Sequence, residues 1–582
     1  MLDLATPFVL LDDARADGAP ARLYHRPVEV LRTDAATEVR PLLDRVRAGV
    51  ARGLSAAGYL SYEAAPAFEP TLAERASPLP LLWFGLFDGW EDIDVVAALP
   101  DPAGARVSPP VPAINRAEYD RRIVEVLALI AAGDLYQANL TFQAAVPFAG
   151  DPLALYAAVR TRARAGWGGI VATGTDTILS FSPELFFAIE DGRITCRPMK
   201  GTARADAPDA GARLAADPKQ RAENLMIVDL LRNDLSRVAA PGSVAVPELF
   251  TVERYPTVLQ MTSTVTARLA PGRDAVDLLA AAFPCGSITG APKLRAITAL
   301  DAIEGAPRGV YTGSIGRIDP DGAAQFNVAI RTLHVQGNTA KMGLGGGIVA
   351  DSKPDDEWQE ALDKGAFLTA GQRAVDLIET MAFDPLDGIA LLDRHLARMK
   401  DSADALGFRF DRHGARNELQ AATFRLRERR RVRLLLAGSG AIAIEVGPPP
   451  VWPAAPVPVA IVPLPVPTSD YRLRHKTSDR GFYDDARRAA GTAEVVFTDR
   501  DGRLTEGSFT SVFVRRDGVL LTPPLARGLL PGVLRAELIE TGRAVERDLT
   551  TADLSGGFLI GNALRGLTPA IVAVANGSRA PL

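Results

Sequence analysis

The chain has 582 residues, of which 47% are hydrophobic and 23% charged, and its formal net charge is −5. This length predicts several domain-sized units with a large buried core, and the composition is typical of a soluble globular enzyme. The slightly acidic balance argues against a nucleic-acid-binding protein, so an anionic ligand would need a locally basic or amide-lined site. With two cysteines, Cys196 and Cys285, the chain has neither a disulfide framework nor a cysteine-rich zinc site.

The amino terminus, MLDLATPFVLLDDARAD, lacks a basic start and has too short an apolar run for a signal peptide. No stretch approaches the ~20 apolar residues of a membrane span. We therefore expect a cytoplasmic protein without a membrane partner. Residues 1–110 mix short apolar runs with proline and acidic residues, a pattern that predicts strands and loops.

A helix is predicted from Asn115 to about Gly133, because apolar residues recur between them at helical spacing. Alternating residues then predict strands, one of which covers 178–187 and carries Glu184 directly after Pro183. The pattern further predicts strands 243–249 and 261–269, helices 275–283 and 294–304, and strands 311–316, 327–332 and 339–349. The last strand contains three consecutive glycines, which would allow a ligand to approach the backbone closely.

Two central stretches draw attention because they place charge in apolar surroundings. Residues 197–202, RPMKGT, put Lys200 on a turn after a predicted strand, and 221–234, RAENLMIVDLLRND, predict a helix with Glu223 on an apolar face. Such an amine and carboxylate need a partner, a metal or a substrate. A structural Lys–Glu pair and a solvated helix end explain these two stretches equally well.

Glu357 and Glu360 lie on one face of a helix that is predicted to begin at Asp356. Together with Glu223 they suit a hard ion such as Mg²⁺ better than zinc, because the motifs offer no nearby histidine or cysteine. Spacing alone favours the simpler explanation, that the two glutamates lie on a solvated helix face. The turn 286–293, GSITGAPK, could present free amides to an anion at a helix start, although most such turns are only turns.

Residues 370–373, AGQR, interrupt the pattern of predicted elements, and different motifs follow them. The proline-rich segment 447–467 is predicted to be an interdomain connection. No internal repeat is visible. The sequence therefore predicts two regions, residues 1–372 and 375–582.

The first region resembles the chorismate-utilising enzymes, and specifically component I of aminodeoxychorismate synthase. The matching stretches occur in the family's order, as SPELF, RPMKGT, RAENLMIVDLLRNDLSRV, FPCGSITGAPK, YTGSIG, NVAIRT and GGGIVADSKPDDEWQEALDK. The second region is similar to fold-type IV pyridoxal-phosphate (PLP) enzymes, nearest to aminodeoxychorismate lyase, through DRHLARM, RHKTSDR, LTEGSFTSVF, LARGLLPGVLR and IGNALRG. The resemblance implies an α/β (α+β) architecture, a two-sheet chorismate-binding domain followed by a fold-type IV domain.

The implied function is two-step synthesis of 4-aminobenzoate, a folate precursor. Chorismate would be aminated to 4-amino-4-deoxychorismate, and loss of pyruvate would follow. The resemblance gives Lys200 the role of a nucleophile on the chorismate ring, where anthranilate-forming relatives usually have alanine. It makes Glu184 the general acid, and Glu223 and Glu360, with Glu357 nearby, the Mg²⁺ ligands. The implied substrate-binding residues are Thr289, Tyr311, Arg331, Gly346 and Gly347.

In the second region, Lys476 matches the lysine that carries PLP and moves the proton. Glu506 would face the pyridine nitrogen of the cofactor. The resemblance further assigns the phosphate to Arg398, to the amides of Gly532 and Val533 at a helix start, and to Asn562.

The resemblance implies a separate glutamine amidotransferase subunit that supplies ammonia, and a homodimer through the PLP domain is a further possibility. Gln260 stands where many chorismate enzymes have histidine. Three alternatives remain open. The second region could be an amino-acid transaminase, the first could form anthranilate, or the chain could be a regulatory protein with an inactive chorismate domain.

Overall fold

The computed structural model describes residues 2–204, 209–254, 258–337, 339–452 and 455–573. The chain divides into two compact units. The first consists of Met1–Asp101, Ser108–Pro147 and Tyr156–Gly371, and the second of Pro102–Val107, Phe148–Leu155 and Gln372–Leu582. Both mix helices with largely antiparallel sheets, which confirms the predicted α/β class.

The first unit contains two large sheets. The first sheet has the spatial order Gly290–Ala291, Gln137–Gly150, Thr339–Ile348, Thr332–Gln336, Thr177–Ser180, Gly168–Ala172, Phe8–Asp12, Ala21–His25 and Glu91–Ile93. The second sheet has the order Met199–Arg204, Val258–Arg268, Arg193–Arg197, Leu185–Glu190, Ala324–Asn327, Ser314–Ile318, Ser55–Leu60, Leu82–Phe87 and Glu29–Thr33, and Ala245–Arg254 also pairs with Val258–Arg268. The main helices are Ala36–Ala51, Arg116–Ala131, Ala210–Ala216, Pro218–Ser236, Ala275–Ala282, Lys293–Glu304 and Pro354–Asp363.

The helix Pro218–Ser236 begins where the sequence provides a start signal. The Asp217 side chain accepts hydrogen bonds from Lys219 N and Gln220 N at 2.8 and 3.1 Å, and proline occupies the first turn. Its apolar side, including Ile227 and Leu231, packs in the large core of the second sheet. This core holds the helix in place, so that Glu223 on its first half reaches a cavity described below.

The second unit contains two smaller sheets. One has the order Gly388–Ile389, Leu377–Asp384, Arg430–Leu436 and Ile442–Gly447. The other has the order Leu504–Gly507, Glu494–Thr498, Val457–Pro463, Gly566–Val572, Phe558–Asn562, Ser511–Arg516, Val519–Thr522 and Ala544–Glu546. The main helices are Leu392–Leu406, Arg412–Thr423, Gly481–Ala490 and Val533–Glu540.

Four predictions from the sequence need correction. Residues 1–110 include a helix, Ala36–Ala51, whose buried Val39, Leu43 and Val46 follow helical spacing despite Pro41 inside it. The predicted connection 447–467 contains the strand Val457–Pro463, which pairs in parallel with strands on both sides.

The other two corrections concern strands that the structure divides. The predicted strand 178–187 is two strands in different sheets, with a crossing at 181–184. The predicted strand 327–332 is likewise a crossing between sheets, because Arg331 adopts a left-handed conformation with φ 50° that ends strand geometry.

Across the described ranges, no helix combines the length and the apolar character needed to cross a membrane. The cytoplasmic location stays a prediction.

Candidate functional site

The first unit contains a cavity of about 230 Å³ that is lined in part by the two crossings between its sheets. Glu184 ends one crossing and Arg331 ends the other, and both line the cavity. The crossings bind each other, since Phe181 N donates to Arg331 O at 3.0 Å and Val328 N donates to Glu184 O at 3.1 Å. The two side chains are thereby held at the same cavity by backbone hydrogen bonds.

Lys200 lies on the strand Met199–Arg204 and is half-buried in the cavity wall. Burial lowers the pKa of its amine, and Lys364 lowers it further, while three surrounding glutamates act in the opposite direction. A Cβ at Gly347 would lie 3.3 Å from Lys200 Nζ and 2.3 Å from Gln137 Nε2. The glycine at 347 therefore leaves room for the amine, while burial and Lys364 favour the neutral, nucleophilic form of Lys200.

Glu184 is only 4% exposed. Burial raises the pKa of its carboxyl group to about 7, and neighbouring Ser287 and Lys200 offset this only in part. A substantial fraction of Glu184 therefore carries a proton at neutral pH. This is the state that a general acid needs.

Three further carboxylates line or border the same cavity. The pKa of Glu223 and that of Glu357 are raised, in each case mainly by burial, whereas Lys364 lowers the pKa of Glu360. Lys364 Nζ lies 2.8 Å from Glu360 Oε1, and Ser352 Oγ donates to Glu357 Oε1 at 2.6 Å. Glu357 and Glu360 are thus both engaged by protein groups.

The donor chemistry of these carboxylates fits Mg²⁺. A Cβ at Gly346 would lie 3.3 Å from Glu357 Oε2 and 3.8 Å from Glu360 Oε1, so both carboxylates gather at one backbone position. Glu223 faces the same cavity. No group of three or more His, Cys, Asp or Glu residues is assembled to hold an ion within the part of the chain that the structure describes. A bound cation would have to draw the carboxylates together and displace the contact with Lys364.

The same cavity is lined by groups suited to a carboxylate ligand, Tyr311 and Arg331. Tyr311 lies flat against the strand Thr339–Ile348, where a Cβ at Gly343 would fall only 1.9 Å from its ring. The backbone of Arg331 is in the left-handed conformation. The Arg331 guanidinium lies 5.7 Å from the centre of the Phe367 ring. Backbone strain of this kind is often found at functional sites.

Thr289 does not line the cavity. Its hydroxyl donates to the carbonyl groups of Cys285 and Gly286 at 3.3 and 3.2 Å, and the residue is fully buried. Ser287 and Ile288 form the wall in its place. Thr289 therefore shapes the turn, and its role in substrate binding stays a prediction.

A buried ion pair between Arg308 and Glu304 stabilises the wall of the first cavity. Arg308 contacts Glu304 through two hydrogen bonds of 2.9 and 2.7 Å, and donates to Ile288 O at 3.1 Å and Asn139 O at 2.9 Å. The carbonyl groups that it binds belong to two lining residues. Arg308 therefore links the helix Lys293–Glu304 to the cavity wall.

Sequence reasoning did not single out Lys364 and Lys219, although both line the cavity. Lys364 follows Glu360 by four residues on a helix, a spacing that predicts an ion pair. That signal was available in the sequence. Lys219 precedes Glu223 by the same interval, and its position became clear only once the helix start at Pro218 was known.

The second unit contains a cavity of about 440 Å³ with Lys476 in its wall. Lys476 Nζ donates to Thr380 Oγ1 at 3.2 Å. Burial lowers the pKa of this amine to about 7, with Glu379 opposing the effect and three arginines adding to it. A large fraction of the amine is therefore neutral at physiological pH.

Glu506 faces the same cavity and is 4% exposed. It accepts hydrogen bonds from the Tyr483 hydroxyl and, at 3.0 Å, from Leu530 N. Burial raises the pKa of Glu506 to about 7, although Arg480 and Tyr483 lower it. A cationic partner at this position would stabilise the ionised form.

Arg398 belongs to a buried charge cluster. Its guanidinium contacts Glu379 at 2.8 and 2.6 Å and donates to Pro531 O at 3.1 Å. His395 contacts the same carboxylate through Nδ1 at 2.6 Å. Burial opposes ionisation of Glu379, but Arg398 and His395 outweigh it and lower its pKa to about 2. The cluster fixes the turn that precedes the helix Val533–Glu540.

Gly532, Val533 and Asn562 all line this cavity. Gly532 N donates to Leu530 O at 2.7 Å, so this amide is already used within the turn. The Asn562 side chain bonds Phe509 O, Leu564 N and Arg565 N at 3.0, 3.1 and 2.9 Å. Asn562 therefore shapes the loop, and the phosphate contacts of Gly532, Val533 and Asn562 stay predictions.

The second cavity fits PLP. Buried polar atoms of its lining, His395 Nε2, Arg480 Nη1 and Arg565 Nε, have no hydrogen-bond partner among the described residues. A Cβ at Gly532 would lie 2.7 Å from Ser511 Oγ, so a larger residue would fill this part of the cavity. Lys476 would hold the cofactor, Glu506 would face its ring nitrogen, and the surplus of arginines suits a phosphate.

Comparison with known proteins identifies the family of each region. Residues 13–370 match the family described as chorismate binding enzyme, and residues 376–571 match the family described as amino-transferase class IV. The first match covers more than half of the chain, so the protein belongs to the chorismate-binding enzymes. More particularly, it joins such a domain to a class IV aminotransferase domain, a class that implies PLP. The predictions of an enzyme and of these two domain types are confirmed.

Similar proteins include both branches of the first family. The chain is 44% identical over 256 residues to aminodeoxychorismate synthase component 1 of Salmonella typhimurium, covering 43% of this chain and 56% of the relative. It is 35% identical over 430 residues to anthranilate synthase component 1 of Streptomyces coelicolor, covering 63% and 84%. The match thus spans just over half the length of the aminodeoxychorismate synthase.

A solved structure supports the fold of the first region. Anthranilate synthase component I from Streptococcus pneumoniae aligns with a TM-score of 0.53 and 24% identity, covering 63% of this chain and 93% of that one.

Proposed function

We propose that the chain converts chorismate to 4-amino-4-deoxychorismate in its first cavity and that its second cavity releases 4-aminobenzoate from this product. The single observation that supports the first step best is the pairing of Lys200, an amine with a lowered pKa, with Glu184, whose pKa is about 7, at one cavity. A nucleophile and a general acid are the two groups that the reaction requires.

In the first step, the Lys200 amine forms a bond to C2 of the chorismate ring. Electrons of the ring double bonds shift, and the bond from C4 to its hydroxyl group breaks. Glu184 gives its proton to this hydroxyl, which leaves as water. Ammonia then forms a bond to C4, the electrons shift back, and the bond from Lys200 to C2 breaks. Arg331 and Tyr311 would hold the enolpyruvyl carboxylate of chorismate throughout.

Mg²⁺ bound by Glu223, Glu357 and Glu360 would supply positive charge for the ring carboxylate. Excess chelator should therefore abolish formation of aminodeoxychorismate, and Glu360→Gln should have the same effect. Release of 4-aminobenzoate from supplied aminodeoxychorismate should continue in both cases, since the second cavity uses none of these residues. An unchanged first step in excess chelator would contradict the metal assignment.

In the second step, PLP would act as an electron sink. Lys476 would remove the proton at C4 of the substrate, and its lowered pKa would let the neutral amine accept it. Glu506 would face the ring nitrogen of the cofactor and stabilise its protonated form. The bond from C3 to the enolpyruvyl oxygen would break, the proton from C4 would be returned to the methylene carbon of the leaving group to give pyruvate, and the ring would become aromatic. The proposal that this domain is a lyase, and not a transaminase, rests on its fusion to the domain that would make its substrate.

We propose that ammonia comes from a separate glutamine amidotransferase subunit. Both cysteines are buried, and burial raises the pKa of Cys285 to about 12 and holds that of Cys196 well above its usual range, so neither is set up as a glutaminase nucleophile. The name component 1 of the similar synthases agrees with a two-part enzyme. The purified chain should use ammonium salts but not glutamine, and glutamine-dependent turnover by the chain alone would exclude this arrangement.

Anthranilate formation is the second candidate for the first cavity, because the similarity to anthranilate synthase component 1 covers 84% of that relative. Lys200 argues against it, since relatives that form anthranilate usually have alanine there. One experiment decides. The chain is incubated with chorismate, ammonium and Mg²⁺, and the product is identified by mass and fluorescence. We expect 4-aminobenzoate and pyruvate, whereas anthranilate would overturn the proposal.

A further inference from the structure

One wall of the second cavity carries positive charges that the proposed chemistry has not used. The strand Arg430–Leu436 alternates between core and cavity, with Val432 and Leu434 fully buried in the core of the four-stranded sheet. Arg431 and Arg433 lie on the other face and line the cavity. Residues two apart on a strand are separated by ~7 Å, so the two guanidinium groups start from neighbouring points on one face.

The strand register places these arginines beside the reactive amine. Arg433 pairs with Thr380, and Arg431 pairs with Ala382, on the adjacent strand. Thr380 Oγ1 accepts the hydrogen bond from Lys476 Nζ at 3.2 Å. Directly paired residues of antiparallel strands lie ~5 Å apart at their Cα atoms. A substrate whose amine reaches Lys476 therefore extends along a strand that presents first Arg433 and then Arg431.

The Nε atoms of Arg431 and Arg433 are buried and have no hydrogen-bond partner among the described residues. The carboxylate nearest to Arg433 is that of Glu445 at 3.7 Å, and both side chains are more than a third exposed, so this contact is weak. Native proteins rarely leave buried donors unpaired, because each costs free energy. A ligand with anionic oxygens would satisfy both.

The other arginines of the cavity each have a contact with the protein, and Arg480 Nη1 and Arg565 Nε, which are unpaired among the described residues, are among the atoms that would face the cofactor. Arg398 contacts Glu379, Arg487 contacts Asp484 at 2.8 Å, and Arg480 donates to Ser508 O at 3.3 Å. Arg565 lies over the rings of Trp452 and Phe509, at 4.8 and 4.9 Å. Arg431 and Arg433 are thus the pair that is placed for a ligand near Lys476.

We propose that Arg431 and Arg433 bind the two carboxylates of the substrate and so select a dicarboxylate with a separate amine. This inference rests on the proposed lyase function and explains how the second cavity would select its substrate. Aminodeoxychorismate carries one carboxylate on the ring and one on the enolpyruvyl group, both away from the amine. An amino acid with an apolar side chain carries one carboxylate, on the same carbon as its amine, and would leave one arginine unpaired.

The test compares Arg431→Gln and Arg433→Gln with Arg429→Gln. Arg429 precedes the same strand, its side chain is 80% exposed, and it contacts Asp384 at 2.8 Å outside the cavity lining. In the holoenzyme, each of the first two substitutions should raise the KM for supplied aminodeoxychorismate about tenfold to a hundredfold, with a much smaller change in kcat. Arg429→Gln should leave KM unchanged, and Arg433→Lys should recover part of the loss.

A second measurement does not depend on turnover. Isophthalate, a dicarboxylate, and benzoate, a monocarboxylate, are titrated into the holoenzyme while the visible absorbance of the bound cofactor is followed. The absorbance reports on the second cavity only. The wild-type chain should bind isophthalate about tenfold or more tightly than benzoate, and both glutamine variants should lose this preference.

The outcomes separate this inference from the proposed function. If wild-type chain releases 4-aminobenzoate and neither glutamine variant changes KM, the two arginines do not bind the substrate. Loss of cofactor absorbance in the variants would also overturn the inference, because the arginines would then support the cofactor. If the wild-type chain releases no 4-aminobenzoate but the preference for isophthalate depends on the arginines, the dicarboxylate site stands and the lyase function fails.

Discussion

The two cavities share one arrangement of buried ionisable groups and differ in the charged residues around it. Each pairs a lysine whose pKa is lowered by burial with a glutamate whose pKa is raised by burial to about 7, Lys200 with Glu184 and Lys476 with Glu506. Removal from water favours the neutral form of both groups and explains these shifts in either cavity. Burial alone therefore sets the protonation states and does not distinguish the two chemistries.

The charge around each pair makes the distinction. Among the described residues, the first cavity is lined by equal numbers of acidic and basic side chains, Glu184, Glu223, Glu357 and Glu360 with Lys200, Lys219, Arg331 and Lys364. In the described lining of the second, basic side chains far outnumber acidic ones, with Arg398, Arg431, Arg433, Lys476, Arg480, Arg487 and Arg565 against Asp484 and Glu506. The first cavity suits an anion that binds together with a metal cation. The second cavity suits a ligand with several anionic groups and needs no metal cation to balance their charge.

The largest expected effect comes from removing each lysine. Lys476→Ala should lose the visible cofactor absorbance and still consume chorismate, so that aminodeoxychorismate accumulates without pyruvate. Lys200→Ala should keep the absorbance and convert supplied aminodeoxychorismate, but lose the first step by roughly 10²–10⁴-fold. Product analysis and absorbance spectra separate the two.

The Lys200→Ala variant also tests the branch of the family. Without the lysine, ammonia could attack C2 directly, and a trace of anthranilate is expected. Release of 4-aminobenzoate at the normal rate by Lys476→Ala, with no other lyase in the assay, would show that the lyase assignment is wrong.

A second prediction concerns the buried charge cluster of Glu379, Arg398 and His395 at the second cavity. Glu379→Gln removes the charge that Arg398 and His395 share, and breaking one partner of such a pair costs about 3–5 kcal/mol of the free energy of unfolding. Because the folded-state pKa of Glu379 is lowered to about 2, its contribution is present above pH ~4.5 and is lost as the pH falls towards 2. Denaturant unfolding at neutral and acidic pH measures both.

The control for this pair is Glu445→Gln, because Glu445 is 54% exposed and its contact with Arg433 is long. Its effect on the free energy of unfolding should stay below about 1 kcal/mol. An equal loss in both variants would mean that the buried cluster carries no special stability.

Sequence patterns predicted the regular parts of the fold and missed the crossings that build the first cavity. The helix around Glu223 and the helix that carries Glu357 were both predicted from the sequence, and the structure contains both. Glu184 and Arg331 lie instead where the chain changes sheets. Local alternation continues through such a crossing, so 178–187 and 327–332 each read as one strand. Only long-range pairing, such as Val328 N with Glu184 O, reveals the change.

The candidate residues themselves came from family resemblance, and the structure brings most of them together in two cavities. Thr289 and Gly346 are the exceptions in the first, because neither lines the cavity. The Thr289 hydroxyl is used within its own turn, and Gly346 lies against the side chains of Glu357 and Lys364. Arg431 and Arg433 were missed, since a strand rich in arginine looks like an exposed strand. The sequence could not show that this face is covered by the cavity.

The pH dependence of the first step gives a smaller effect. Glu184 must be protonated to act as an acid, and its pKa is raised to about 7. Lys200 must be neutral at the same time, so the rate of chorismate consumption at saturating ammonia should fall by roughly tenfold for each pH unit above the pKa values of both groups. Glu184→Gln should be slow at every pH and should lose this alkaline fall. A wild-type profile with the same alkaline limb as that of Glu184→Gln would assign the acid to another group.

The smallest effect is expected from Gly346→Ala. The added Cβ would lie 3.3 Å from Glu357 Oε2 and 3.4 Å from Lys364 Nζ, and these ends of flexible side chains can move by a few tenths of an ångström. We expect the Mg²⁺ concentration for half-maximal synthase rate to rise about threefold to tenfold, equivalent to about 1 kcal/mol, with little change in the rate at saturating Mg²⁺.

Gly347→Ala is the stricter comparison, because its Cβ would lie 2.3 Å from Gln137 Nε2 and 3.3 Å from Lys200 Nζ. That variant should lower the maximal rate itself, since it crowds the nucleophile. If both variants changed only the maximal rate, the carboxylates gathered at Gly346 would not be acting on a metal, and the balance of charge in the first cavity would need another explanation.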